Sequence, residues 1–180
     1  REDVAKAGGK SLKALVDAAN AGADRKEATD TMVAGAKKII STLFNEGELD
    51  GIMSLGGTTA AASGVALMQG LPIGFPKLIV TTFTAFCPIG DEDITVMQSP
   101  VDLVGLNKIL MRTLSNAAGA LTGMVEQEVS EKQSRKLAGI TALGVTTPAV
   151  QKAMARLGER GYDSLVFHAL TAKMDRMIKD

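Results

Sequence analysis

Leu49-Asp50-Gly51-Ile52-Met53-Ser54-Leu55-Gly56-Gly57-Thr58-Thr59 reads as a short strand that runs directly into a turn of the size that holds a phosphate. The apolar run Ile52 to Leu55 is bounded by Gly51 and by the pair Gly56 and Gly57, which suits a strand covered on both faces of a parallel sheet. Thr58 or Thr59 can cap the helix expected next, and Ala60, Ala61 and Ala62 carry the highest helix propensity of any residue type. Two glycines let a ligand approach the backbone, two hydroxyls can donate hydrogen bonds, and a helix N-terminus favours an anion. The Lys of a full Walker motif is missing. The same glycines and threonines would equally serve a tight turn that binds nothing.

Downstream, the helix from Thr59 to Gln69 ends at Gly70, and Leu71 to Pro76 is too rich in Pro and Gly to continue it. Lys77 to Thr82 is apolar and β-branched, a second strand ending again in hydroxyl residues. A loop over Phe83 to Glu92 leads to a third strand, Asp93 to Met97, and then to a long helix from Asn107 to Val129. Ala117, Ala118, Gly119, Ala120 and Gly123 are small enough to let that helix pack closely on a neighbour. Ser130 to Lys136 reads as a linker. A fresh unit then opens with a strand at Leu137 to Leu143 and a helix with Thr147 as cap and Pro148 at its first position, running to Gly158 or Gly161. A strand at Ser164 to His168 follows.

Upstream, Val4 to Ala19 has helical spacing at Leu12, Leu15, Val16 and Ala19, although Gly8 and Gly9 weaken its first turns. Asp24 with Glu27 forms a capping box for a second helix, whose stripe is Met32, Val33, Ala36, Ile39, Ile40, Leu43 and Phe44, closed by Gly47. An α/β domain normally opens on a strand, so two helices ahead of the first strand imply a further segment upstream.

Gly56-Gly57-Thr58-Thr59, Thr81-Thr82 and Gly144-Val145-Thr146-Thr147 all fall at carboxyl ends of expected strands, the edge where open α/β sheets bind their ligands. The expected fold is therefore α/β: a Rossmann-like, doubly wound, mainly parallel sheet with helices on both faces. A first subdomain is expected over residues 1–129, a linker over 130–136 and the start of a second subdomain over 137–180.

Composition narrows the function classes. Hydrophobic residues make up 46% of 180 residues, with 19 glycines, and no apolar run reaches the length of a membrane span, so a soluble globular protein is expected. Twenty basic and twenty acidic residues cancel, which leaves no electrostatic footprint for nucleic acid or a membrane surface. Aromatic residues are 3%, with no Trp, one Tyr and five Phe, too few to build a stacking surface for single-stranded nucleic acid. Cys87 is the only cysteine; it excludes an intrachain disulfide and fits a reducing compartment, so a cytoplasmic location is expected.

Ser54-Leu55-Gly56-Gly57, Leu71-Pro72-Ile73-Gly74-Phe75-Pro76-Lys77, Val101-Asp102-Leu103-Val104-Gly105-Leu106-Asn107, Leu114-Ser115-Asn116-Ala117-Ala118-Gly119-Ala120 and Gly144-Val145-Thr146-Thr147-Pro148 occur in this order. Together they resemble the UPF0261 family, also called the Tm-1-like ATP-binding domain, over nearly the whole chain. The resemblance implies two Rossmann-like subdomains, ATP binding without established catalysis, and, from the family's plant namesake that blocks tobamovirus RNA replication, a protein partner. It also implies a fragment, since family members generally begin with a further strand and continue well past Asp180. Two departures stand out. Leu165-Val166-Phe167-His168-Ala169 leads into Leu170-Thr171-Ala172-Lys173 where the family has a glycine-rich turn, and fewer glycines follow Gly57 than in related sequences.

The candidate site follows. Gly56, Gly57, Thr58 and Thr59 are expected to hold phosphate, Thr82 and Asn107 to line the cleft, and Gly144, Thr146 and Thr147 to close it from the second subdomain. Asp102 can accept from a ribose hydroxyl or bind magnesium, so the expected ligand is ATP, alone or with magnesium. Asp102 and Asn107 would also serve as plain helix caps. An alternative is an enzyme on a phosphorylated metabolite, for which Asp102 and His168 are the only acid or base candidates. A second is a nucleotide-modulated interaction domain. His168 and Cys87 lack the companions of a zinc site or a nucleophilic pair, and the nine methionines read as core filler. Exposed sheet edges would be covered by self-association, which points to a homo-oligomer.

Overall fold

The computed structural model of the chain describes residues 2–11, 13, 14, 16, 17, 25–128, 135–170 and 174. Two compact units are present, residues 1–127 and residues 128–180. In chain order the first contains α1 (Glu2–Ala7), α2 (Arg25–Asn45), β1 (Ile52–Gly56), α3 (Thr58–Met68), β2 (Lys77–Thr81), a 3₁₀ turn (Thr84–Phe86), β3 (Thr95–Gln98) and α4 (Lys108–Glu126). The second contains β4 (Lys136–Ala142), a 3₁₀ turn (Gly144–Thr146), α5 (Thr147–Glu159) and β5 (Tyr162–His168).

β2 is buried at every residue because it lies between two parallel neighbours and two helices. The sheet order is β1-β2-β3, with Met53 opposite Leu78, Leu55 opposite Val80 and Thr81 opposite Gln98. Successive side chains of a strand point to opposite faces, and the core divides accordingly. Ile79, with Ile52 and Val96, packs under Ala61, Val65 and Met68 of α3. Leu78 and Val80, with Met53 and Met97, pack on Ala117, Ala120, Leu121 and Met124 of α4. Helices on both faces of a parallel sheet make this the Rossmann-like α/β arrangement.

In the first unit the sequence expectations are corrected in three places. The single helix read over Val4–Ala19 is broken, because α1 closes at Ala7. The Lys10 N–H donates to the Ala5 carbonyl at 3.0 Å and the Gly9 N–H to the Lys6 carbonyl at 2.9 Å, with Gly9 at φ +89°, a Schellman closure that ends a helix. Residues 13, 14, 16 and 17 are helical again. Leu12, Leu15 and Ala19, the Asp24 half of the capping box and residues 130–134 of the linker lie outside the described residues. The glycines of α4 have no close neighbour, so the tight approach to the sheet rests on Ala117, which is fully buried. At α3 the cap is Gly57, and Thr58 and Thr59 belong to the first turn.

In the second unit β4 and β5 pair in parallel, Gly139 opposite Leu165 and Ala142 opposite His168, and α5 packs against both. Among the described residues no helix is long and apolar enough to cross a membrane.

Candidate functional site

At the carboxyl end of β1 the backbone turns sharply at Gly56, with φ +154°. A side chain there would meet the Ala60 Cβ at 2.3 Å, so both conformation and space require glycine. α3 sits this close to β1 because Gly64 has no side chain, since a Cβ would stand 2.5 Å from the Ser54 Oγ. The Ser54 hydroxyl donates in turn to the Ala60 carbonyl at 3.2 Å. Ser54 and Gly64 thus fix the entry of the helix, a pairing the sequence reading missed because it needs strand and helix superposed.

The turn is open in front. Gly57 has an extended backbone, φ −77° and ψ −162°, and no side chain caps α3. The first helical bond formed is from the Ala61 N–H to the Gly57 carbonyl, at 2.9 Å, so the first-turn N–H groups face outward, as at any helix start. Around Gly57 a Cβ would touch nothing closer than the Thr82 Oγ1, at 3.9 Å. Gly57, Thr58 and Thr59 are exposed, and no side-chain hydrogen bond occupies the hydroxyls of Thr58, Thr59 or Thr82 among the described residues. Thr59 also lines an apolar groove of about 540 Å³ between α1, α2 and α3.

Asp102 and Asn107 follow β3 along the same carboxyl edge. Asp102 is exposed, its carboxylate without a partner among the described residues. Asn107 is committed: its Oδ1 accepts from the N–H groups of Ile109 and Leu110, both at 3.0 Å, and caps α4. Between β1 and this helix lies an apolar slot of about 420 Å³, lined by Leu55, Leu103, Leu106, Leu110 and Leu114 with Gly56 and Gly105.

The second unit carries the remaining candidates at the carboxyl end of β4. The Thr146 hydroxyl donates to the Leu143 carbonyl at 2.9 Å and accepts from the Leu143 N–H at 3.0 Å. The Thr147 hydroxyl donates to the Gly144 carbonyl at 2.9 Å. These threonines close their own turn, and Thr146 rather than Thr147 stands at the cap. The His168 Nδ1 accepts from the Leu170 N–H at 3.3 Å. Cys87 is half-buried, and burial pushes its thiol up, away from the thiolate a nucleophile needs.

Two further groups escaped the sequence reading. Phe83 and Phe86 lie side by side immediately after Thr82, ring centroids 5.0 Å apart and tilted by 45°. At the opposite edge of the sheet, the buried Lys77 ammonium pairs with the Asp93 Oδ1 at 2.5 Å and donates to the Pro72 carbonyl at 2.7 Å. The Asp93 Oδ2 accepts from the Gly74 N–H at 2.6 Å. The signal for this clamp was a Lys opening an otherwise apolar strand.

The family comparisons agree with the order of motifs. Residues 1–131 match the uncharacterised protein family (UPF0261) N-terminal domain, and residues 135–180 match the C-terminal domain of the same family. A UPF0261 protein of Clostridium tetani is 38% identical over 176 residues, covering 96% of this chain and 43% of that protein. The ToMV susceptible protein tm-1(GCR26) of Solanum lycopersicum is 34% identical over 154 residues, 81% of this chain and 20% of that protein. The ToMV resistance protein Tm-1(GCR237) of the same plant is 36% identical over 139 residues, 72% and 18%. The chain thus spans less than half the length of these relatives.

Proposed function

The chain belongs to the UPF0261 family, and from that premise we propose that its first unit binds ATP, alone or with magnesium, with the phosphates at the turn Gly56 to Thr59. One observation carries this reading: α3 begins without a side-chain cap, in front of free space, beside three hydroxyls that the fold leaves unused. By contrast, the Asn107 side chain caps α4, and the Thr147 hydroxyl is engaged in the turn before α5. A phosphate would take the first-turn N–H groups and gain from the positive end of the helix dipole.

The residues have separable tasks. Gly56 shapes the turn, Gly57 keeps the approach clear, and the hydroxyls of Thr58, Thr59 and Thr82 donate to phosphate oxygens. Asp102 offers a carboxylate to a ribose hydroxyl or a phosphate-bound magnesium ion. Asn107 orders the loop that carries it. The Thr146 and Thr147 hydroxyls of the second unit are engaged within their own turn and are not assigned to phosphate. The relatives' names, which speak of susceptibility or resistance to ToMV, fit a module whose output is an interaction rather than a reaction.

Isothermal calorimetry with ATP tests the site. In Gly57→Val the added side chain projects into open space, so the melting temperature holds while ATP affinity falls by at least about tenfold, some 1.4 kcal/mol. Unchanged affinity in that variant would sink the assignment of phosphate to this turn.

A further inference from the structure

The phosphate turn is flanked by an exposed aromatic corner. Phe83 and Phe86 are 46% and 64% exposed in a chain that has only five Phe, one Tyr and no Trp. Phe83 directly follows Thr82, whose Oγ1 would stand 3.9 Å from a Cβ placed on Gly57, and the 3₁₀ turn holding Phe86 packs against α3, the helix that begins at the phosphate turn. The tilted rings present two π faces at an angle. The Gln98 Oε1, at the carboxyl end of β3, accepts from the hydroxyl of Thr84, between the two rings in sequence, at 3.3 Å. That bond engages the carbonyl and leaves the amino group of this exposed residue with no partner among the described residues.

We propose that Phe83, Phe86 and Gln98 form the subsite that takes the adenine of the nucleotide. This rests on the phosphate reading above and deepens it. Exposed apolar rings gain most from a flat π partner, and base stacking on aromatic side chains is tolerant of the base but stronger for larger faces. The Gln98 amino group donates to a ring nitrogen acceptor on the edge of the base, as side-chain amides do with adenine. The aliphatic slot beside Leu55 is the weaker candidate, since its lining has neither a π face nor a polar side chain to orient a base.

The experiment is calorimetry of ATP and of inorganic tripolyphosphate, which has no base, on the full 180-residue chain and on the double variant Phe83→Ala/Phe86→Ala. Both rings are exposed, so the fold is kept, and a Phe83→Leu/Phe86→Leu pair controls for apolar cover without a ring. Stacking is worth about 1–3 kcal/mol per base by alanine substitution, so ATP binds about 5- to 150-fold more weakly to the alanine pair while tripolyphosphate binds as before. The leucine pair shows the same loss in smaller measure. ATP affinity unchanged in the alanine pair, or both ligands weakened together, overturns the subsite and leaves the phosphate turn standing. A chain that binds neither ligand overturns the turn itself and the subsite with it.

Discussion

Lys77 opens the central strand with an ammonium that water cannot reach: the side chain is 0% exposed, whereas its partner Asp93 is 34% exposed. This asymmetry decides which partner matters more. Removing Asp93 strands a buried charge with one carbonyl for company, and such losses cost about 3–5 kcal/mol. Removing Lys77 leaves a carboxylate that can rehydrate. Asp93→Ala is therefore expected to lower the urea midpoint far more than Lys77→Met, which keeps the apolar stem. Burial pushes the Asp93 carboxyl up, but the Lys77 hydrogen bond and charge and the Gly74 N–H outweigh it and hold it below its ordinary range. A folded pKa below the unfolded value, about 3.9, makes this contribution full above that pH and lost as the pH falls through the folded value. Stability measured below about pH 4 should thus fall less steeply in Asp93→Asn than in the unmodified chain. Equal midpoints for Asp93→Ala and Lys77→Met would overturn the asymmetry, and midpoints unchanged from the unmodified chain would show that the clamp adds nothing.

At the scale of elements, the two long helices of the sheet start in opposite ways. α4 has a side-chain cap and α3 has none. Gly57→Asp would supply both a cap and a negative charge at the positive end of α3, and Gly57 already has a backbone that any residue adopts. Thermal unfolding should show that variant more stable by about 0.5 kcal/mol, and calorimetry should show it unable to bind ATP. Gain of stability with loss of ligand is the signature of a helix start kept open for an anion; ATP bound with undiminished affinity would contradict it. The elements themselves were legible in the sequence. The apolar run Lys77 to Thr82, the Gly-Gly-Thr-Thr turn and the alanines after it carry local signals of period and propensity. The break at Gly8 and Gly9 was not, because two glycines either weaken a helix or end it, and only the bonds from Gly9 and Lys10 decide. The Lys77 clamp and the Phe83–Phe86 corner were illegible for another reason: Lys77 meets a carboxylate in the loop before β3, and the exposure of the two rings depends on how β2 ends.

At the scale of the molecule, the two units are stabilised unequally. The first has a strand buried at every position, with α3 and α4 covering Leu78, Ile79 and Val80 completely. The second has a parallel pair with no fully buried residue in either strand, and among its described residues only Val150 is a buried hydrophobic. Leu137 and Val166 of that pair are 62% and 46% exposed. Each fully buried aliphatic side chain is worth about 1.5–3 kcal/mol, and a two-stranded sheet is marginal without more cover. Backbone amides exchange through the least costly opening available to them. Hydrogen exchange followed by mass spectrometry should therefore find β2 the last peptide to label. β4 and β5 should label at least about tenfold faster, a gap of some 1.4 kcal/mol. Calorimetric unfolding should then be broader than a single cooperative transition. If β2 and β4 label at one common rate, the chain opens as a single block, and the thin core of the second unit must draw on stability supplied from outside its own strands and helix.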